Sequence, residues 1–198
     1  MIQFDNLSQE IPYLVFKEKY DQSLNAKQKN IEAICISSYS PNNKEVNARF
    51  VNLKFINNKE FIFFSNYNSP KSKEFNAHNQ ITALIYWNSV NVQIRMKGLI
   101  KKTTNEFNQN YFSKRDERKN ALAIASDQSK KIASYEDLID KYEMSLKKNN
   151  LSECPDYWGG YTFTPYYFEF WEGHESRVNK RQVFQFKNDE WVHYFLQA

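Results

Sequence analysis

Arg177 and Arg181 stand four residues apart, just after an aromatic run that ends in Trp171, with His174, Glu175 and Lys180 crowded around them. Two guanidinium groups and an indole delivered to one place suit a flat, anionic, phosphorylated ligand. The plain alternative is a core strand followed by a solvated turn.

Three further places gather cations or hydroxyls. In 47–54 an otherwise apolar strand carries Arg49 and Lys54. A strand alternates faces, so a separation of five sends these two to opposite sides, and to different ligands, unless a bulge intervenes. Ser65 is followed by Ser69-Pro70-Lys71, a helix start whose free N–H groups and partial positive charge suit an anion. Lys71 opposes the helix dipole there, so an anion would relieve it. Tyr111 with Arg115, and Gln128-Ser129 beyond the next helix, make the last group. Singly, such charges are usually solvated; four such places in one small chain favour phosphate.

The elements that must position these residues read mainly as strands. Residues 8–25 place Tyr13, Phe16 and Tyr20 at helical spacing after Pro12. Strands follow at 31–38, 46–55 and 60–66, separated by turns at 41–43 and 57–58, and Ser69-Pro70 starts a helix to about residue 79. Strands at 81–87 and 90–103 turn around Asn88-Ser89, and 105–125 is helical in composition. Ser134, with Asp137 in a capping box, opens a helix with an apolar stripe of Tyr135, Leu138, Ile139, Tyr142 and Leu146, ended by 147–150. Gly159-Gly160 predicts a positive φ or a close approach feeding the strand 161–171, and 183–186 pairs with 191–195. Consecutive hairpins with inserted helices imply an α+β protein built on a closed or nearly closed antiparallel barrel. The run 161–171 is apolar on both faces, which predicts a cover for its second face and hence a homodimer.

Composition narrows the function. Aromatic residues make up 17% of 198 residues, which favours β-rich packing in one domain over 1–198. A net charge of +4, dispersed along the chain, argues against a nucleic-acid surface. No apolar run is long enough for a membrane span and no leader precedes residue 10, so a cytoplasmic setting is expected. Two distant cysteines, Cys35 and Cys154, fit a reducing compartment, and three scattered histidines predict no metal site.

The segments ARFVNLK (48–54), FFSN (63–66), the 69–71 helix start, YFSKR (111–115), Gln128-Ser129 and WGGYTFTPYYFEFWEG (158–173) followed by R-x-N-x-R together resemble the pyridoxine/pyridoxamine 5′-phosphate oxidase family. The resemblance runs in order from about residue 11 to 191. It implies an FMN-binding split β-barrel working as a homodimer, with FMN at the subunit interface, an N-terminal helical segment over 1–26 and a dimerisation and active-site region over 156–198. Arg49, Phe64, Ser65, Lys71, Gln128 and Ser129 would contact FMN mainly at its phosphate and ribityl end, and Phe50, Val51, Gln93, Trp171 and Arg181 the flavin ring or its edges. Lys54, Tyr111 and Arg115 match positions that hold the substrate phosphate, and Arg177 the arginine over the substrate's pyridine ring. In the family a hydride passes from the substrate's 4′ carbon to the flavin, and oxygen is reduced to peroxide.

Three departures fall mostly on the substrate side. Asn179 stands where the family usually has histidine between the two arginines, and asparagine cannot carry a mobile proton near neutral pH. Lys119 replaces a serine that helps bind the substrate phosphate, and Pro70 replaces an arginine at the FMN helix start. The chain therefore reads as a pyridoxal-phosphate-forming oxidase with Arg177 and Asn179 as catalytic candidates. The alternatives are an FMN oxidoreductase of the same fold for another ring substrate, or a non-catalytic FMN- or pyridoxal-phosphate-binding protein.

Overall fold

Six strands close on themselves in the computed structural model, which describes residues 1–147 and 150–198. Strand β1 (Gln3–Asp5) and helix α1 (Ile11–Asn25) precede β2 (Ala33–Ser40), β3 (Glu45–Asn57) and β4 (Glu60–Asn66). Helix α2 (Pro70–Ala77), β5 (Gln80–Trp87) and β6 (Val92–Lys102) follow, then three helices, α3 (Asn105–Ser113), α4 (Glu117–Ala125) and α5 (Tyr135–Leu146). The chain ends in β7 (Trp158–Glu172), β8 (Lys180–Lys187) and β9 (Glu190–Leu196). Pairing runs β3–β2–β5–β6–β7 and returns from β7 through β4 to β3, all antiparallel, which closes the barrel. The β8–β9 hairpin continues from the far half of β7, so that strand serves both the barrel and the arm.

Alternation fills the barrel. Ile34, Ile36, Leu53, Phe61, Phe63, Ala83, Ile94, Met96, Phe163 and Phe168 form its buried core. Helix α1 lays Phe16 against Phe61 and Trp87 at centroid distances of 5.1 and 5.7 Å, and Tyr13 against Phe168 at 5.2 Å. Elsewhere on the barrel, Phe75 of α2 packs on Tyr161 at 5.0 Å and on Phe63. Each such ring contributes roughly 1.5–3 kcal/mol of burial.

Glycine does not make the turns. None of the four glycines has positive φ; Asn58, Asn91, Asn188 and Asp189 take that conformation at the hairpins. Asparagine tolerates it because its short polar side chain bonds locally. Gly159 and Gly160 instead allow close approach: a Cβ on Gly159 would lie 2.2 Å from Tyr67 Oη and 2.4 Å from Asn108 Nδ2, and one on Gly160 2.5 Å from Thr103 Oγ1.

Several sequence expectations change. The 105–125 helix breaks at residues 114–116, because Asp116 accepts hydrogen bonds from the backbone N–H groups of Arg118 and Lys119 and starts a new helix. Within the 1–26 segment expected to be helical, residues 3–5 instead form strand β1, which pairs in parallel with β3, and the helix covers only Ile11–Asn25. The first residues of β7 are covered within the chain: Phe112 of α3 packs on Trp158 at 4.9 Å, and Asn108 Oδ1 accepts from the Gly160 N–H. Ser134 caps α5 as expected, yet Tyr135 and Ile139 of its apolar stripe stay exposed. Of the 147–150 helix stop, Lys147 forms the C-cap, while Lys148 and Asn149 lie outside the described residues.

Candidate functional site

Lys71 anchors the site. It sits in the first turn of α2, 8% exposed, and its Nζ donates to Ser65 Oγ (3.0 Å), Ser69 Oγ (3.2 Å) and Gln128 Oε1 (3.1 Å). All three acceptors are neutral, and no ion pair to this ammonium forms among the described residues. Burial pushes its pKa down to about 8, with the Arg49 charge adding to the shift. A buried cation beside the free N–H groups of a helix N-terminus is a seat for an anion, and a dianionic phosphate monoester fits that donor set.

The seat opens into a cavity of about 200 Å³ walled by β3, the end of β4 and the helical segment. Phe50, Val51, Lys54, Phe64, Ser65, Lys71, Tyr111, Arg115 and Gln128 all line it, so nine sequence candidates converge. Phe50 stands at the rim, 74% exposed. An adjoining cavity of about 330 Å³ shares Phe64, Ser65, Arg115 and Gln128 and adds Lys119. Neither lining contains a carboxylate. Burial and the nearby charges of Lys119 and Arg115 lower the Lys54 pKa, against an opposing pull from Glu32. Burial also lowers that of Arg115 and raises that of Tyr111. The Arg115 guanidinium is fixed by the Lys119 carbonyl (2.9 Å) and Asn120 Oδ1 (3.0 Å), and lies 5.1 Å over the Trp158 ring. Trp158 stacks on Phe64 at 5.0 Å, and Phe64 on Tyr111 at 3.9 Å. Trp158 and Asn52 line the cavity without having been singled out; the tryptophan's signal was its place directly before the glycine pair.

Arg49 and Lys54 do part company. The register of β3 against β4 shifts between Leu53 and Phe55, so the strand does bulge at Lys54. Lys54 faces the cavity, whereas Arg49 turns away from it, its Nη2 donating to Glu74 Oε2 of α2 at 2.9 Å and its Nη1 to Ser38 Oγ of β2. Ser129 follows Gln128 as an exposed residue with φ 69°.

Gln93, Trp171 and Arg181 form a second cluster. They pair in one row across β6, β7 and β8. In the next row Glu169, 2% exposed, accepts from Arg181 Nε and Nη2 at 2.9 and 2.7 Å and from Arg95 Nε at 3.0 Å. Burial works to raise the Glu169 pKa, but the two arginines outweigh it and hold it below the usual carboxylate value. From Gly159, which pairs with Ser65, to Trp171 the strand covers roughly 40 Å at about 3.3 Å per residue. The two clusters thus lie at opposite ends of β7. Arg177 and Asn179 occupy the loop between β7 and β8, with Arg177 at φ 62°.

A larger cavity of about 370 Å³ beside Ser37, Thr82 and Tyr167 has one cation in its lining, Lys97, and none of the sequence candidates. Among the described residues no group of His, Cys, Asp or Glu could hold a metal ion, and no helix is long and apolar enough to cross a membrane.

Comparison with known proteins points to one family. Residues 17–142 match the family model for pyridoxamine 5′-phosphate oxidase, and residues 158–198 that for the pyridoxine 5′-phosphate oxidase C-terminal dimerisation region. The chain is 34% identical over 183 residues to pyridoxine/pyridoxamine 5′-phosphate oxidase 1 of Hydrogenovibrio crunogenus, covering 90% of this chain and 84% of that one. It is 38% identical over 146 residues to the Cytophaga hutchinsonii pyridoxine/pyridoxamine 5′-phosphate oxidase, covering 72% and 67%. Among solved structures, PhzG from Burkholderia lata in complex with tetrahydrophenazine-1-carboxylic acid superposes with a TM-score of 0.88 at 21% identity, covering 94% of this chain and 92% of that one. An FMN-binding, pyridoxamine 5′-phosphate oxidase-related protein from Nostoc punctiforme gives 0.79 at 11%, covering 96% and 99%. These two share the fold.

Proposed function

The chain belongs to the pyridoxine/pyridoxamine 5′-phosphate oxidase family, and on that premise we propose that it oxidises pyridoxine or pyridoxamine 5′-phosphate to pyridoxal 5′-phosphate, using FMN and reducing oxygen to hydrogen peroxide. One observation carries this reading: Lys71 is buried with neutral partners only, at a helix N-terminus, facing a cavity that also holds Lys54 and Arg115. Two phosphates, one on the cofactor and one on the substrate, answer that surplus of cations.

In this reading Lys71, Ser65, Ser69 and Gln128 hold the FMN phosphate, with Ser129 beside them and Phe64 and Val51 as walls. Arg49 acts from behind, its guanidinium set by Glu74 and Ser38. Lys54, Tyr111 and Arg115 hold the substrate phosphate, and Lys119 adds a cation there. FMN supplies the hydride acceptor when bound; the protein binds, orients and excludes water. Gln93, Trp171 and Arg181 stand too far along β7 to reach the same mononucleotide as Ser65, so they serve the site of a second copy. That makes the protein a homodimer with shared sites, in keeping with the dimerisation region matched at 158–198. We place it in a reducing cytoplasm, as its free cysteines suit.

The experiment is to load the protein with FMN, desalt it and add pyridoxine or pyridoxamine 5′-phosphate, following aldehyde and peroxide together. Retained flavin absorbance with both products supports the reading; no flavin absorbance removes the cofactor assignment. Lys119 and Asn179 favour a second reading, an FMN oxidoreductase for a different anionic ring. Tight FMN binding without turnover of either phosphorylated vitamer would select it.

A further inference from the structure

Asn179 is the least expected residue of the R-x-N-x-R segment, and its side chain is already occupied. Its Oδ1 accepts a hydrogen bond from the backbone N–H of His174 at 3.0 Å, which ties the two ends of the β7–β8 loop together. Inside that tie the chain turns tightly: the Arg177 N–H donates to the His174 carbonyl at 2.9 Å, and the Ser176 N–H to His174 Nδ1 at 3.2 Å. A backbone amide only donates, so Nδ1 is the acceptor of this bond. Ser176 Oγ lies 2.6 Å from the same nitrogen and closes the inner ring of bonds. Arg177 emerges from this turn at φ 62°, in the left-handed region that a long side chain rarely adopts. Such a conformation persists only where its surroundings over-determine it, and the loop contacts shown here come from His174, Ser176 and Asn179.

We propose that Asn179 is a positioning residue: its amide oxygen closes the loop that holds Arg177 in a left-handed backbone conformation and so aims the guanidinium at the substrate. Residue 179 then acts through hydrogen-bond geometry, not through a proton of its own. An oxygen at this place suffices, so aspartate can substitute and alanine cannot. The inference rests on the reading that Arg177 faces the substrate, and its test separates the two.

The test compares Asn179→Ala and Asn179→Asp with the wild-type FMN-loaded protein. Asn179→Ala is expected to raise the KM for pyridoxine 5′-phosphate about tenfold, the loss of about 1.4 kcal/mol that one hydrogen bond supplies, with kcat within about threefold. FMN affinity is expected to move less than about threefold, since the Asn179 amide oxygen is spent on the His174 N–H and the Lys71 seat is left intact. Asn179→Asp, which keeps the acceptor, is expected to restore KM to within about threefold of wild type. Amide hydrogen exchange across residues 173–177 gives a readout independent of turnover: faster in Asn179→Ala, near wild type in Asn179→Asp. An unaltered exchange rate in the alanine variant overturns the proposal, as does an aspartate variant as impaired as alanine. A wild-type protein that turns over neither vitamer removes the functional reading and leaves the exchange comparison to decide the loop's construction.

Discussion

Lys71 carries its charge where the protein penalises it. A pKa of about 8, against the ordinary lysine value of 10.5, corresponds to a cost on the order of 3 kcal/mol for keeping the ammonium charged in the native state. The sign follows from proton counting. Below about pH 8 both native and unfolded chains hold the proton and the whole cost is present; between about 8 and 10.5 only the unfolded chain holds it, so this residue's contribution to stability rises with pH. Anion binding runs the other way, because the phosphate needs the charged form. FMN affinity of the apo-protein is therefore expected to fall as pH rises through about 8, as followed by quenching of flavin fluorescence. Lys71→Met should weaken FMN binding roughly ten- to a hundredfold without lowering the apo-protein's melting temperature, since a buried charge is replaced by a thioether of similar length. A dissociation constant that does not move would place the phosphate elsewhere.

At the level of elements, the ends of β7 are held by different means, and each can be broken separately. Its start approaches the α3 segment with no room for a methyl group, so Gly159→Ala should cost about 1–3 kcal/mol through displacement of Tyr67 and Asn108, read from the urea midpoint. Its far end is stitched by Glu169 to Arg95 of β6 and Arg181 of β8. Removing the carboxylate leaves two arginines without their shared partner, and Glu169→Ala should destabilise by about 3–5 kcal/mol. Because the folded pKa of Glu169 is lowered, that stabilisation is present above its unfolded value of about 4.5 and is lost as pH falls through the folded value. The gap between wild type and Glu169→Gln should therefore close on acidification. Much of this framework was legible in the sequence: alternation and turn residues mark every barrel strand, and Ser69-Pro70 marks the helix start that seats Lys71. The rest depends on partners that spacing does not reveal. Nothing local to Arg49 shows that Glu74 occupies it, nor that Glu169 binds a residue 74 positions earlier. The break after α3 turned on one side chain, Asp116, whose capping bonds outweigh the helical composition around it. The bulge at Lys54 was legible only as a condition, since register is a property of two strands.

For the whole molecule, the distance along β7 decides how many complete sites one chain can build. Val46 and Phe50 of β3 and Tyr86 of β5 stand exposed on the barrel exterior. The proposed sharing of sites makes a quantitative prediction. Lys71→Ala and Arg181→Ala should each be impaired alone, yet mixing them through unfolding and refolding should recover roughly a quarter of native sites, because half the dimers are mixed and each mixed dimer has one intact site. No recovery would mean that each chain completes its own site. The asparagine turns carry a different consequence, one of ageing. Where many barrels corner on glycine, this one corners on Asn58, Asn91 and Asn188, whose side-chain amides are among the groups that heat degrades. Prolonged warming is thus expected to convert these corners to acidic residues, visible as a ladder of more negative charge variants. Asn58→Gly removes one rung while keeping the turn, so the protein's shelf life can be lengthened at its corners without touching its core.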